Sequence, residues 1–132
     1  MEDVRFRVFL LLDGSLSNNY QKGGTKVMER ISIDQLHDEI IPNMGPEDLI
    51  LDVRTPEEYA EGHIKGSRNQ DHEAVAGIAE ELKNYSKVYV HCKMGGRAQR
   101  AAEALDIEGL DNIVCVSDGG MHRWIEMGWE VE

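Results

Sequence analysis

The sequence predicts an α/β protein with a largely parallel central sheet and helices on both faces. Three observations predict it. Short apolar runs stand at Leu49-Ile50-Leu51-Asp52-Val53, Val88-Tyr89-Val90 and Ile113-Val114-Cys115-Val116, as expected of strands buried on both faces. Helix-start signals and helical spacing fall between these runs, not in a block of their own. No segment repeats another, and 132 residues make one domain with room for an ordinary core.

Taken in order, residues 1–27 differ from the rest. Val4, Phe6, Val8, Leu10 and Leu12 alternate as a strand would, and a polar, glycine-containing stretch follows from Asp13 to Gly24. This segment is expected to be an appendage, mobile or loosely docked, on a domain spanning residues 28–132. Ser32-Ile33-Asp34-Gln35 reads as a capping box that opens a short helix with Ile33, Leu36, Ile40 and Ile41 on its apolar face. Residues 42–46 read as a loop, and the first buried strand follows. Thr55-Pro56-Glu57-Glu58 is a second helix start, with Thr55 as cap, Pro56 at the first helical position and Gly62 as the stop. Ala74, Val75, Ile78, Ala79 and Leu82 mark one face of a third helix. After the second strand, Ala98, Ala101, Ala102 and Leu105 recur at helical spacing, and their small side chains suit a helix lying close on a sheet. The third strand and a last helix carrying Trp124 and Ile125 complete the chain.

The net charge of −11 argues against nucleic acid or an anionic membrane as a partner. No run approaches the ~18 apolar residues of a membrane span. The run Val8–Leu12 after Arg5 and Arg7 is too short for a signal peptide, so a cytoplasmic location is expected. Two cysteines, Cys92 and Cys115, make no disulfide framework, and His37, His63, His72, His91 and His122 lack metal-ligand spacing. No metal and no cofactor is expected.

The chemistry concentrates at His91-Cys92-Lys93-Met94-Gly95-Gly96-Arg97-Ala98. The cysteine ends a buried strand, where α/β folds place ligand crevices. A glycine turn follows, whose N–H groups can converge on an anion, and then a helix N-terminus with its partial positive charge. Such surroundings stabilise a thiolate. Lys93, Arg97 and Arg100 add cations, and no acidic residue occurs from His91 to Ala102, a gap that stands out in so acidic a chain. The plainer reading is a buried structural cysteine beside a turn. The order of strand, cysteine, glycine turn, cations and helix favours a nucleophile.

With these residues in hand, the chain resembles the rhodanese-like family over about residues 30–131. The first motif is Leu51-Asp52-Val53-Arg54-Thr55-Pro56-Glu57-Glu58-Tyr59 with Gly62-His63-Ile64-Lys65-Gly66-Ser67. The second is the loop from Cys92 to Arg97, and the third is Asp118-Gly119-Gly120 leading to Trp124. The resemblance implies a three-layer fold around a mostly parallel sheet of about five strands. It also implies sulfur transfer. A small anionic donor such as thiosulfate, a polysulfide or a persulfide would load a persulfide on Cys92. Cyanide or a thiol, the latter on a thioredoxin-like or sulfur-relay protein, would then remove it. Lys93, Met94, Gly95, Gly96 and Arg97 would form the anion-binding loop. Arg68-Asn69-Gln70-Asp71-His72 stands where family members often carry an apolar residue and proline, and it is expected to shape the mouth of the site.

Other residues have plainer readings. Asp52 and Arg54 read as structural support at the strand end, and His63 as a turn residue. His91 should point to the face opposite Cys92, because side chains alternate along a strand. Cys115 reads as inert packing or as a resolving thiol, Trp124 and Trp129 as core anchors, and Gly119-Gly120 as a tight turn near the loop. Two rival functions remain. A sulfur carrier or binding module would lack turnover. A cysteine phosphatase would need arginine six positions after the cysteine, where Ala98 stands. Arg97 comes one residue earlier, which leaves a cradle better sized for one sulfur atom than for phosphate.

Overall fold

A computed structural model describes residues 27–132 of the chain. The alternating segment Val4 to Leu12 and the glycine-containing stretch after it lie outside the described residues, as does all of the expected appendage except Val27.

The described residues open with β1 (Glu29–Ser32), and the Ser32 hydroxyl accepts the Gln35 N–H to open α1 (Ile33–Gln35). The Gln35 side chain returns to the Ser32 N–H, so the expected capping box is present. The helix widens into a π turn over Leu36–Ile40 and tightens into a 3₁₀ turn over Ile41–Asn43. Pro42, which lacks an N–H, can follow only at such an end. The expected loop at 42–46 is therefore partly helical. Next come β2 (Asp48–Asp52) and α2 (Pro56–Glu61), capped by Thr55 with Glu58 reaching back, and then β3 (Arg68–Asn69).

The third helix departs from expectation. Residues His72–Ile78 form a 3₁₀ helix, and only Ala79–Leu82 (α3) are α-helical. The spacing of three from Val75 to Ile78 and from Ala79 to Leu82 serves a 3₁₀ turn as well as an α turn. Gly77 inside the segment weakens the α alternative. β4 (Lys87–His91), α4 (Gly96–Ile107), β5 (Ile113–Asp118) and α5 (Met121–Glu126) complete the order.

The five strands among the described residues are all parallel, in the order β1-β5-β4-β2-β3. Two of them escape the apolar-run criterion. Edge strand β1 buries only Ile31, and β3 is two polar residues long. Strand alternation sorts the core into two layers. Val88, Val90, Leu49, Leu51, Ile113 and Cys115 face α4 and α3, meeting Ala98, Ala101, Ala102, Leu105 and Leu82. Tyr89, Ile50, Val114 and Val116 face the other way, against Ile33, Leu36, Met121 and Trp124. Ala98, Ala101 and Ala102 of α4 are fully buried, so this helix lies directly over the centre of the sheet. Leu105 at its far end is also fully buried, and truncating it to alanine would cost about 2–5 kcal/mol.

Because the strands are parallel, their carboxyl ends share one edge. The register places Asp52 beside His91 there, and Ser32 beside Asp118. The segments that leave this edge build the site.

Candidate active site

Cys92 is the first residue after β4, and its side chain is 1% exposed. The Sγ accepts two backbone N–H groups, from Gly95 at 3.1 Å and from Ala98 at 3.2 Å. Gly96 and Arg97 open α4, so their N–H groups have no carbonyl to reach within the helix. The sulfur thus lies at the positive end of a twelve-residue helix, inside a partly unsatisfied ring of donors.

Two glycines make this ring possible. Gly95 has φ of +115°, and a Cβ there would run into the carbonyl oxygen of Ser117. Gly120 has φ of +110°, and a Cβ there would come within 2.5 Å of the Cys92 carbonyl oxygen and 2.6 Å of that of Lys93. The close approach of the Gly120 turn lets α5 hold the loop. Met121 N–H donates to the Cys92 carbonyl at 2.9 Å, and His122 N–H to the Lys93 carbonyl at 3.1 Å. With these carbonyls held by α5, the following N–H groups are free to converge on the sulfur.

The far end of the loop is closed by charge. The Arg97 guanidinium donates to both carboxylate oxygens of Glu58, at 2.7 and 3.0 Å. Hydrogen bonding from Arg97, helped by the Thr55 N–H and hydroxyl, lowers the Glu58 carboxyl to about 2, against the opposing effect of burial. The stretch without acids is therefore not free of negative charge in space, because α2 brings Glu58 to it. Arg97 is committed to this pair, whereas Lys93 and Arg100 make no ion pair among the described residues. Met94 projects from the loop, 63% exposed.

The model of the rhodanese-like domain family matches residues 32–127. The chain belongs to this family. A thiosulfate sulfurtransferase GlpE of Pseudomonas entomophila is 33% identical over 76 residues, which cover 58% of this chain and 69% of that protein. A rhodanese-like domain protein from Staphylococcus aureus has a similar crystal structure, with a TM-score of 0.65 and 32% identity over 80% of this chain and 99% of that one. A Rhodopseudomonas palustris protein of unknown function, described as a possible tyrosine phosphatase, shares the fold, with a TM-score of 0.68 at 21% identity over 80% of this chain and 85% of that one. At family level, the chain groups with sulfurtransferases.

In this rhodanese-like domain, Asp52 and Arg54 form a buried bidentate pair behind the site, with Nη2 to Oδ2 at 2.7 Å and Nε to Oδ1 at 2.9 Å. Arg54 also donates to the Gly62 carbonyl at 2.8 Å, fastening the end of α2 to β2. His91 lies on the sheet face opposite Cys92, fully buried, with Nε2 3.9 Å from Asp52. Burial pushes its ring below the ordinary histidine value, and nearby Asp52 only partly opposes this. Neither ring nitrogen has a partner among the described residues.

Cys115 is fully buried on the α4 side of the sheet, and burial pushes its thiol up. Trp124 is buried with its indole N–H on the Glu130 carbonyl, while Trp129 stacks on His37 at 3.8 Å. Both serve packing. His63 stacks on Tyr59 at 3.8 Å and pairs by backbone with Glu132.

A cleft of about 290 Å³ adjoins the loop, lined by Arg54, Glu58, Glu61, Lys93, Met121, His122, Ile125 and Glu126. Residues 68–72 do not line this cleft. They finish the sheet edge at the carboxyl end of β2. Asn69 donates to the carbonyls of Asp52 and Arg54, Gln70 N–H to that of Asp52, and Arg68 pairs with Glu81. Polar side chains suit this task because a two-residue edge strand leaves carbonyls to satisfy.

The sequence reading missed Glu58 as a partner of the loop, and Met121 and His122 as its clamp. Glu58 gave only a capping signal, and no pattern in a single chain links it to Arg97. The Gly119-Gly120 pair was the available sign of the clamp, since paired glycines mark close backbone approach.

Proposed function

We propose that the protein is a sulfurtransferase that carries sulfane sulfur as a persulfide on Cys92. The observation that carries this reading is the pair of N–H groups from Gly95 and Ala98 on Sγ, with those of Gly96 and Arg97, at the start of α4, having no acceptor within the helix. The first two hold a thiolate, and the remaining donors suit the second sulfur of a persulfide.

In the first half-reaction the Cys92 thiolate attacks the outer sulfur of thiosulfate. A sulfur–sulfur bond forms to Sγ, the bond to the sulfonate sulfur breaks, and sulfite leaves with that electron pair. Lys93, which lines the adjoining cleft, is the cation available for the donor's oxyanion. A polysulfide or a persulfide would react in the same way. In the second half-reaction a thiophile, such as cyanide or a thiol, attacks the outer sulfur, and Sγ regains its electron pair. A thiol on a thioredoxin-like or sulfur-relay protein is one candidate acceptor.

Steady-state kinetics with thiosulfate and cyanide test this reading. Parallel double-reciprocal lines, abolished in Cys92→Ser, are expected. Stoichiometric loading with no turnover toward cyanide or small thiols would instead make the protein a carrier for a dedicated partner. Loss of Cys92-dependent sulfur uptake, together with hydrolysis of an aryl phosphate, would make it a phosphatase.

A further inference from the structure

We propose that the cleft beside Cys92 selects acceptors that are small aminothiols, molecules whose thiolate is carried beside a cationic amine. This rests on the sulfurtransferase reading and names the acceptor class of the same site.

The charges in the cleft that remain unmatched set the ligand it fits. The charge of Arg54 is matched by Asp52, and that of Glu58 by Arg97. That leaves Lys93 on the loop side, and Glu61 and Glu126 among the other lining residues. Glu61 makes no ion pair among the described residues. Glu126 has only the His122 ring, 3.6 Å away on the same helix turn. The floor between them is apolar: Met121 is buried and Ile125 is 59% exposed.

The cleft is therefore polarised, with a cation on Lys93, the residue that follows Cys92, carboxylates on other walls and a short hydrocarbon surface between. A ligand that matches it has an anionic sulfur, a few methylenes and a positive charge. At about 290 Å³ the space sits at the lower end of small-molecule sites (roughly 300 Å³ upward), which fits such a ligand. An anionic thiol would meet the two carboxylates and the field of a chain of net charge −11.

The step balances without a further reagent. The aminothiolate sulfur attacks the outer sulfur of the Cys92 persulfide, forming a new persulfide on the small molecule. The Cys92 Sγ–S bond breaks, its electron pair returns to Sγ, and the resulting thiolate is again held by Gly95 and Ala98.

The test uses the full chain loaded with thiosulfate and desalted, with loading counted by intact mass. Persulfide discharge is then timed with cysteamine, 2-mercaptoethanol and 3-mercaptopropionate, each rate expressed per thiolate present. Cysteamine should exceed 3-mercaptopropionate by roughly tenfold, with 2-mercaptoethanol between them, since exposed charges each contribute modestly. In the double variant Glu61→Gln/Glu126→Gln that ratio should shrink by at least about threefold. Glu47→Gln/Glu108→Gln, which changes the net charge equally at the opposite end of the sheet, should leave it nearly unchanged. Failure to load would sink the sulfurtransferase reading itself. Normal loading with no charge preference, or an equal loss of preference in both double variants, would overturn the aminothiol proposal alone.

Discussion

Arg97 and Glu58, thirty-nine residues apart, meet in a two-pronged ion pair that closes the Cys92 loop against α2. Both lie partly within the protein, and Glu58 also caps α2 through Thr55. One carboxylate thus fixes the start of a helix and the end of the loop that holds the sulfur. Replacing Arg97 by lysine keeps the charge but loses the fork. We expect Arg97→Lys to lower kcat/KM for thiosulfate by roughly tenfold to a hundredfold through a loosened loop. The change should be smaller in Arg100→Lys, whose side chain makes no such pair.

The same pair predicts acid behaviour. The Glu58 carboxyl is lowered from 4.5 to about 2, so its contribution is complete above pH 4.5 and is lost as pH falls toward 2. After allowance for solvent, the contribution is on the order of 1–2 kcal/mol. His91 adds to the acid sensitivity at higher pH. Its folded value is lowered below 6.5, so below that pH the unfolded chain binds a proton that the fold refuses. Urea titrations from pH 7 to 5 should show stability falling less steeply in His91→Leu than in wild type. Glu58→Gln should flatten the curve only below about pH 4.5. Indistinguishable slopes would remove both assignments.

The glycines separate fold from fit. Gly120→Ala drives a Cβ to within 2.5 Å of the Cys92 carbonyl in a backbone conformation that L-residues avoid, and should cost more than about 2 kcal/mol. Gly96→Ala meets nothing within 4 Å and should leave the melting temperature the same or slightly higher, since alanine favours a helix. Thermal denaturation of the two variants side by side checks this contrast.

The buried thiol should be silent. Cys92 is almost as enclosed as Cys115, but its sulfur sits on the N–H groups of the loop whereas burial pushes the Cys115 thiol up, so native protein should consume one equivalent of iodoacetamide at Cys92 and a second only after denaturation. Cys115→Ala should retain sulfur transfer and lose about 1 kcal/mol of stability. Loss of transfer in this variant would instead give Cys115 a resolving role.

These contrasts also show where the sequence was informative. Local signals carried far: Ser32 with Gln35 and Thr55 with Glu58 stand as caps, and the three apolar runs are β2, β4 and β5. The Cys92 loop was legible because strand, turn and helix are contiguous there. Strands β1 and β3 were not, because an edge strand with one buried residue and a two-residue polar strand carry no hydrophobic pattern. The bend into 3₁₀ geometry at residues 72–78 was hidden because apolar residues three apart suit either helix. The pairing of Arg97 with Glu58 was hidden for a different reason. It depends on how two helices land beside one sheet edge, which single-chain spacing does not encode.

The central claim is that the ring of N–H groups around Cys92 holds sulfur, and intact mass after exposure to thiosulfate tests it most directly. Wild-type protein should gain the mass of one sulfur atom, lose it on addition of cyanide, and the Cys92→Ser variant should gain nothing. No gain in the wild type, or an equal gain in Cys92→Ser, would contradict the account.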